Sequence, residues 1–257
     1  MSQEPERLSG RRFRDRSLRG SRFAACDLGD VVIRGIDVAG MEIDSPWLLE
    51  GGSTLVVNGV DVVPLVDAEL DRRFPGRALR GASDVAGLRA AWDAVERAWA
   101  ATLERARALP EGTVDASVDD EWSLAQTWRH LVLATDLWLG RAVLGREQPF
   151  HPLGLRDDSD SPAFASAAFT PGRPPFEEVL AARADRQAMV RGFLAHADAA
   201  QLAEPRRNPH ASAEEADQDP ETVLSCLHTI LEEEWEHHRY AVRDLDQLAA
   251  RDRAPRP

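Results

Sequence analysis

An apolar residue recurs at every fifth position in the first part of the chain. The series is Leu8, Phe13, Leu18, Phe23, Leu28, Ile33, Val38 and Ile43. An amphipathic helix repeats about every 3.6 residues and a strand every two, so neither element produces this spacing. A square-section β-solenoid does, because each face of its coil takes about five residues and turns one apolar side chain inward. At four pentads per turn, the run predicts about two coils.

The five-residue run resembles the pentapeptide-repeat family, in which a central Leu or Phe fills the axis of the coil. Ser21, Cys26 and Val31 supply the small residue that this family places two positions before the centre. The resemblance implies a short right-handed β-solenoid as the core of an N-terminal domain over residues 1–66. Two coils cannot bury a core alone, so a closing element is expected.

The next two segments of the chain are predicted to be a closing element and a connector. Residues 47–66 alternate and break like short strands, with Asn58-Gly59 as the turn signal, and are expected to close the solenoid. Residues 67–82 contain a Pro-Gly pair and read as a connector. From residue 83 to residue 257 the apolar period is helical, which defines a second domain.

Four amphipathic helices are predicted in this second domain. They cover approximately residues 83–109, 123–144, 175–199 and 219–250. Ser123 and Gln126 form an S-x-x-Q capping box at the start of the second helix. Four helices of this length favour an up-down four-helix bundle. The predicted fold class is therefore α+β, mainly α, with a β-solenoid preceding the bundle.

The fourth helix interrupts its own apolar stripe with charged residues. A helical projection puts Glu234 and His238 near the centre of the stripe, His237 toward its edge and Glu233 further round. Residues four apart stack on one side of a helix, so a Glu and a His at this spacing can reach one ion. His130, early in the second helix, is the candidate for a third ligand. Two His and one Glu leave coordination positions open, as in catalytic metal sites.

Simpler interpretations of the same residues stay open at this point. An inward Glu and His could form a hydrogen-bonded pair without any metal. The acidic run at residues 232–236 could be a solvated face of the helix. Histidines in loops, such as His151 and His210, favour a surface role.

Two segments of the helical domain resemble the DinB-like metalloprotein superfamily. They are SLAQTWRHLVLATDLWLGRAVLG in the second helix and EEEWEHHRYAVRDLD in the fourth. The resemblance implies one divalent ion held by one residue of the second helix and two of the fourth. His130 matches the helix-two position. The helix-four pair is Glu234 with His238, Glu233 with His237, or Glu234 with His237.

Replacement of one of three histidines by Glu resembles the mycothiol-using branch of this superfamily. The resemblance implies a metal-dependent thiol S-transferase, whose partners are a small-molecule thiol such as mycothiol and an electrophile. Zinc is the expected ion, with nickel, manganese and iron as alternatives. A non-catalytic metal-containing binding or stress-response module and a metal-dependent hydrolase are the alternative functions.

Composition narrows the partners and the compartment. A formal net charge of −13 disfavours nucleic acid, because phosphate binding needs a basic surface. The chain has no apolar run long enough to span a bilayer and no apolar N-terminal signal, so a cytoplasmic protein is expected. Two cysteines 200 positions apart argue against a disulfide scaffold and a cysteine zinc site. The solenoid is interpreted as a packing extension or a dimer surface, which leaves a homodimer open.

Overall fold

A computed structural model describes residues 10–24, 26–157, 164, 167–211 and 220–253. The chain divides into two compact units, Met1–Asp44 and Ser45–Pro257. This boundary falls earlier than residue 66, where the sequence pattern places the end of the first domain.

The five-residue period of the first unit persists in its backbone. Positive φ angles recur at Gly10, Asp15, Gly20, Asp30, Gly35 and Gly40. Tight turns close at ten-residue intervals, where the N–H groups of Ser21, Val31 and Met41 donate to the carbonyl groups three residues earlier. Gly20 and Gly40 each occupy a turn position that requires a left-handed backbone, which glycine adopts without steric cost.

The predicted β-solenoid is not found in the described residues of this unit. They contain no strand, and the apolar side chains at the five-residue positions are more than half exposed, from 52% at Leu18 to 64% at Phe13. A coil would turn these side chains toward its axis. Two turns of repeat offer too few stacked neighbours to exclude water from that axis, which is the physical reason for the difference. Leu8, the first member of the series, lies outside the described residues.

The second unit begins with a hairpin and a helix. Strands β1 (Val56–Val57) and β2 (Val60–Asp61) pair antiparallel. Asn58 and Gly59 both have positive φ, as the predicted two-residue turn requires. The hairpin belongs to the helical unit instead of closing a solenoid. The predicted connector is also wrong in part, because Val63–Arg73 forms helix α1 and Arg77–Gly81 a 3₁₀ helix.

The four predicted long helices are present with small shifts at their ends. They are α2 (Val85–Arg107), α3 (Leu124–Thr135), α4 (Phe176–His196) and α6 (Val223–Arg253). The predicted second helix continues beyond α3 as a π-helix over Asp136–Val143. A short helix α5 (Ala199–Leu202) and the pair β3 (Pro205–Arg206) and β4 (Glu221–Thr222) lie between α4 and α6.

The long helices pack side by side around one apolar core. Helix α2 contacts α4 and α6, and α3 contacts the same two helices. Leu88, Trp92, Trp99, Leu131, Ile230 and Leu245 are at most 2% exposed in this core. Burial of side chains of this size contributes about 1.5–3 kcal/mol each. Among the described residues, the helices are all too short or too polar to cross a membrane.

Candidate metal centre

His130, Glu233 and His237 meet where α3 packs against α6. The Oε2 atom of Glu233 lies 3.2 Å from Nε2 of His130 and 3.2 Å from Nε2 of His237. The three potential ligand atoms all lie within 4.8 Å of one another. Two imidazoles and a carboxylate at these separations can share one divalent ion, because ligand atoms about 2 Å from a metal lie roughly 3–4 Å apart.

The capped start of helix α3 positions His130, and a backbone carbonyl orients its ring. Ser123 caps the helix, and Gln126 completes the predicted capping box, which the structure confirms. His130 lies two turns into the helix and is 9% exposed. Its Nδ1 lies 3.3 Å from the carbonyl oxygen of Leu155, which can only accept a hydrogen bond. A proton on Nδ1 lets the ring donate to this oxygen, which leaves Nε2 as the nitrogen available to a metal ion.

Glu233 and His237 come from consecutive turns of α6, at the edge of its buried face. Their side chains are 31% and 17% exposed, so a ligand can reach them from solvent. Burial alone would raise the pKa of Glu233, but the close imidazoles of His130 and His237 hold that pKa well below its ordinary value. Glu233 is therefore a carboxylate at neutral pH, the form that binds metals.

Trp122 covers both histidines of the cluster, although no motif in the sequence marks it. Its ring stacks on His237 with an interplanar angle of 16° and a centroid distance of 5.9 Å. It also contacts His130 at a centroid distance of 4.8 Å. Trp122 immediately precedes the cap residue Ser123, so the capping box that positions His130 positions Trp122 as well. Its place one residue before a helix cap was the only available signal.

Further carboxylates make the surroundings of the cluster negative. Burial raises the pKa of Glu50, and repulsion from Glu233 and Glu236 raises it further. Burial and then repulsion from Glu50 raise the pKa of Glu232 in the same way. Like charges in mutual repulsion attract a cation. Glu50 lies in the loop before the hairpin, far from α6 in sequence, and no motif marks it.

Glu234 is buried, as the helical projection predicts, but it does not join the cluster. It is 1% exposed and forms an ion pair with Arg183 of α4, which is 2% exposed. Both of its oxygens accept from the same guanidinium nitrogen. Its charge is therefore compensated within the core, and no metal is needed to offset it.

His238 is also buried and also stands apart from the cluster. Its Nε2 lies 2.9 Å from the hydroxyl oxygen of Thr102 on α2. Trp99, Phe74 and Trp235 meet its ring edge-on, with centroids 5.0–5.7 Å away. Burial in this apolar cage lowers the pKa of His238 to about 4, so the ring is neutral at pH 7. His238 packs in the core as a hydrogen-bonded histidine.

The two loop histidines have different surroundings. The backbone N–H of His151 donates to Asp136, and its Nδ1 accepts from the N–H of Leu153, which is a structural role. His210 packs its ring against Trp138, with a centroid distance of 5.6 Å, and lies within electrostatic range of Glu233. His210 is thus an ionisable group near the cluster that the sequence pattern assigned to the surface.

The comparisons with known proteins place the chain in a family. A family model described as the DinB superfamily matches residues 94–241, more than half of the chain, and spans His130, Glu233 and His237. The chain therefore belongs to the DinB superfamily, whose members bind metals and include metal-dependent enzymes. No curated protein and no solved structure matches the chain.

Proposed function

We propose that this protein is a metal-dependent thiol S-transferase in which His130, Glu233 and His237 hold one divalent ion. The observation that supports this most is the convergence of these three side chains, with ligand atoms within 4.8 Å, in a chain of the DinB superfamily. The proposal selects Glu233 with His237 from the pairs that the sequence left open, and it sets Glu234 and His238 aside.

The donor chemistry of the cluster fits a divalent ion. With its proton on Nδ1, neutral His130 would turn the Nε2 lone pair toward an oxygen of Glu233, 3.2 Å away. Two lone pairs at this distance repel unless a cation, either a proton or a metal ion, lies between them. Zinc is the expected ion for two imidazoles and a carboxylate, with nickel, manganese and iron as alternatives.

The residues around the cluster support a reaction with a small molecule. Three protein ligands leave at least one coordination position for a substrate. When bound, the ion would supply positive charge that stabilises a thiolate over a thiol at neutral pH. Leu155 fixes the ring orientation of His130, and Trp122 shields the two imidazoles from water on one side. Glu50 and Glu232 lower the net positive charge near the bound ion and favour its retention.

The partners in this proposal are a low-molecular-weight thiol, with mycothiol as the first candidate, and an electrophilic acceptor. Full-length protein loaded with zinc is incubated with mycothiol and a chlorobimane, and the conjugate is quantified by chromatography. We expect conjugation above the uncatalysed rate, and at least about a hundredfold loss in His237→Ala. His196→Ala, which alters an exposed histidine at the end of α4, is the matched control and keeps the rate.

A fully metal-loaded wild-type protein that gives no conjugate above background would contradict the transferase proposal. That result would favour the non-catalytic metal-containing module, because the cluster would then bind an ion without a thiol reaction. Release of product by water alone, from an ester substrate, would instead favour the hydrolase alternative.

A further inference from the structure

An open cavity of about 500 Å³ lies on the side of α3 next to His130. Helix α3 contributes Gln126 and Arg129 to its lining. The loops at residues 154–157 and 169–173 contribute the rest. This cavity is separate from the metal cluster, since none of His130, Glu233 and His237 lines it.

Arg129 brings a buried positive charge to this cavity. Its side chain donates to three backbone carbonyl groups, those of Leu153 at 2.9 Å, Gly172 at 2.7 Å and Thr170 at 2.8 Å. The residue is only 4% exposed, and its contacts in the described part of the chain include no carboxylate. Carbonyl groups satisfy the N–H donors but do not neutralise the charge, so an anion placed nearby is stabilised.

Two more arginines line the cavity and are exposed. Arg173 forms no ion pair with any described residue. The guanidinium carbon of Arg156 lies over the ring of Phe164, 5.9 Å from its centroid. Asp157 is the one carboxylate among the lining residues that the structure describes. Three guanidinium groups and one carboxylate leave a positive surplus, in a protein whose formal net charge is −13.

We propose that this cavity binds an oxyanion, a carboxylate or phosphate group carried by a small organic molecule, with Arg129 at its base and Arg156 and Arg173 at its opening. Arginine suits both groups because its planar fork donates two parallel hydrogen bonds to carboxylate or phosphate oxygens. A volume of about 500 Å³ is that of a small-molecule site.

The cavity and the metal cluster share one structural residue. The N–H of Leu155 donates to the carbonyl oxygen of Arg129 at 3.2 Å, while its own carbonyl accepts from His130. An anion bound beside Arg129 therefore lies next to the loop that orients His130. The oxyanion site nevertheless rests on the cavity alone and stands whether or not the thiol reaction occurs.

The test is isothermal titration of the full-length protein at low ionic strength with inorganic phosphate and, separately, with succinate. Saturable binding of either probe supports the proposal, and the probe that binds identifies the group. Arg156→Gln combined with Arg173→Gln removes two exposed guanidinium groups and is expected to raise the Kd at least about tenfold. Arg97→Gln combined with Arg251→Gln removes two charges from exposed positions on α2 and α6 and leaves the Kd unchanged.

His237→Ala separates this site from the metal cluster. The proposal predicts that this variant binds the probe as the wild type does, since His237 does not line the cavity. Three results would overturn the proposal: no saturable binding of either probe, unchanged binding in the double arginine variant, or binding lost in His237→Ala. None of these three results changes the outcome expected in the conjugation assay. Failure of the oxyanion site can therefore be distinguished from failure of the transferase proposal.

Discussion

Nε2 of His130 lies 3.2 Å from Oε2 of Glu233, and this contact joins α3 to α6 across 103 positions of sequence. Nε2 of His237 lies at the same distance from the same oxygen. One carboxylate oxygen thus faces two imidazole nitrogens. When His130 is neutral and its Nδ1 proton points to the Leu155 carbonyl, its Nε2 directs a lone pair at that oxygen. A cation at the centre removes the resulting repulsion, which is why this contact carries the proposed function.

The first prediction uses Trp122 as a reporter of the cluster. Because its ring stacks on His237 and contacts His130, a paramagnetic Ni²⁺ or Cu²⁺ ion bound there will quench its fluorescence. We expect saturable quenching of the wild-type protein, and loss of most of that quenching in Trp122→Phe. The measurement is a fluorescence titration of metal-free protein at constant ionic strength.

Trp47→Phe is the matched control for this titration, because Trp47 is 66% exposed and its ring does not contact His130 or His237. Its quenching curve is expected to follow the wild type. Equal quenching in Trp122→Phe and the wild type would show that the ion binds away from Trp122, and therefore away from His130 and His237.

The second prediction concerns the buried ion pair of Arg183 and Glu234. Removal of one partner leaves an uncompensated charge in the core, since the two residues are 2% and 1% exposed. Glu234→Ala is therefore expected to lower the free energy of unfolding by about 3–5 kcal/mol, measured by urea denaturation. Its metal content is expected to equal that of the wild type.

The double variant Arg183→Met with Glu234→Leu is the control for this second prediction. It replaces both charges with apolar groups and is expected to lose much less stability than Glu234→Ala. Loss of metal from a folded Glu234→Ala protein would contradict the assignment of Glu234 to the core, and would return it to the ligand set.

The third prediction distinguishes the two cysteines by their reactivity. Burial raises the pKa of Cys226 to about 12, so its thiol stays protonated at pH 8, whereas Cys26 is exposed. Since only the thiolate reacts, a disulfide reagent is expected to modify Cys26 alone in the native protein. Cys26→Ser should give no fast reaction until urea is added. Rapid modification of Cys226 in native Cys26→Ser would contradict its burial.

The sequence predicted the four long helices because their apolar periodicity extends over many turns. The capping box at Ser123 and the turn at Asn58-Gly59 also followed from local rules, and the structure contains both. The coil predicted for the first unit would need its turns to stack and bury their apolar side chains. The five-residue period alone does not ensure this. The helix at Val63–Arg73 was missed for two reasons. It comes directly after a strand-like run, and its own residues form no strong apolar stripe.

The candidate site shows where sequence reasoning reaches its limit. The helical projection favoured Glu234 and His238 because they lie at the centre of the buried stripe. The structure supplies their partners from other helices, Arg183 of α4 and Thr102 of α2, which no spacing within α6 can reveal. Glu233 and His237, the pair that we propose as ligands, lie at the edge of the stripe, where solvent reaches them. The resemblance to the DinB-like superfamily kept that pair among the alternatives.

The most direct test of the account is the metal content of purified variants, measured by elemental analysis. The wild type is expected to hold about one divalent ion per chain, while His130→Ala, Glu233→Ala and His237→Ala each lose at least about tenfold in metal affinity. Glu178→Ala, which removes an exposed carboxylate of α4, and His238→Gln are expected to retain the ion. Full retention of metal in His130→Ala, Glu233→Ala and His237→Ala would contradict the account.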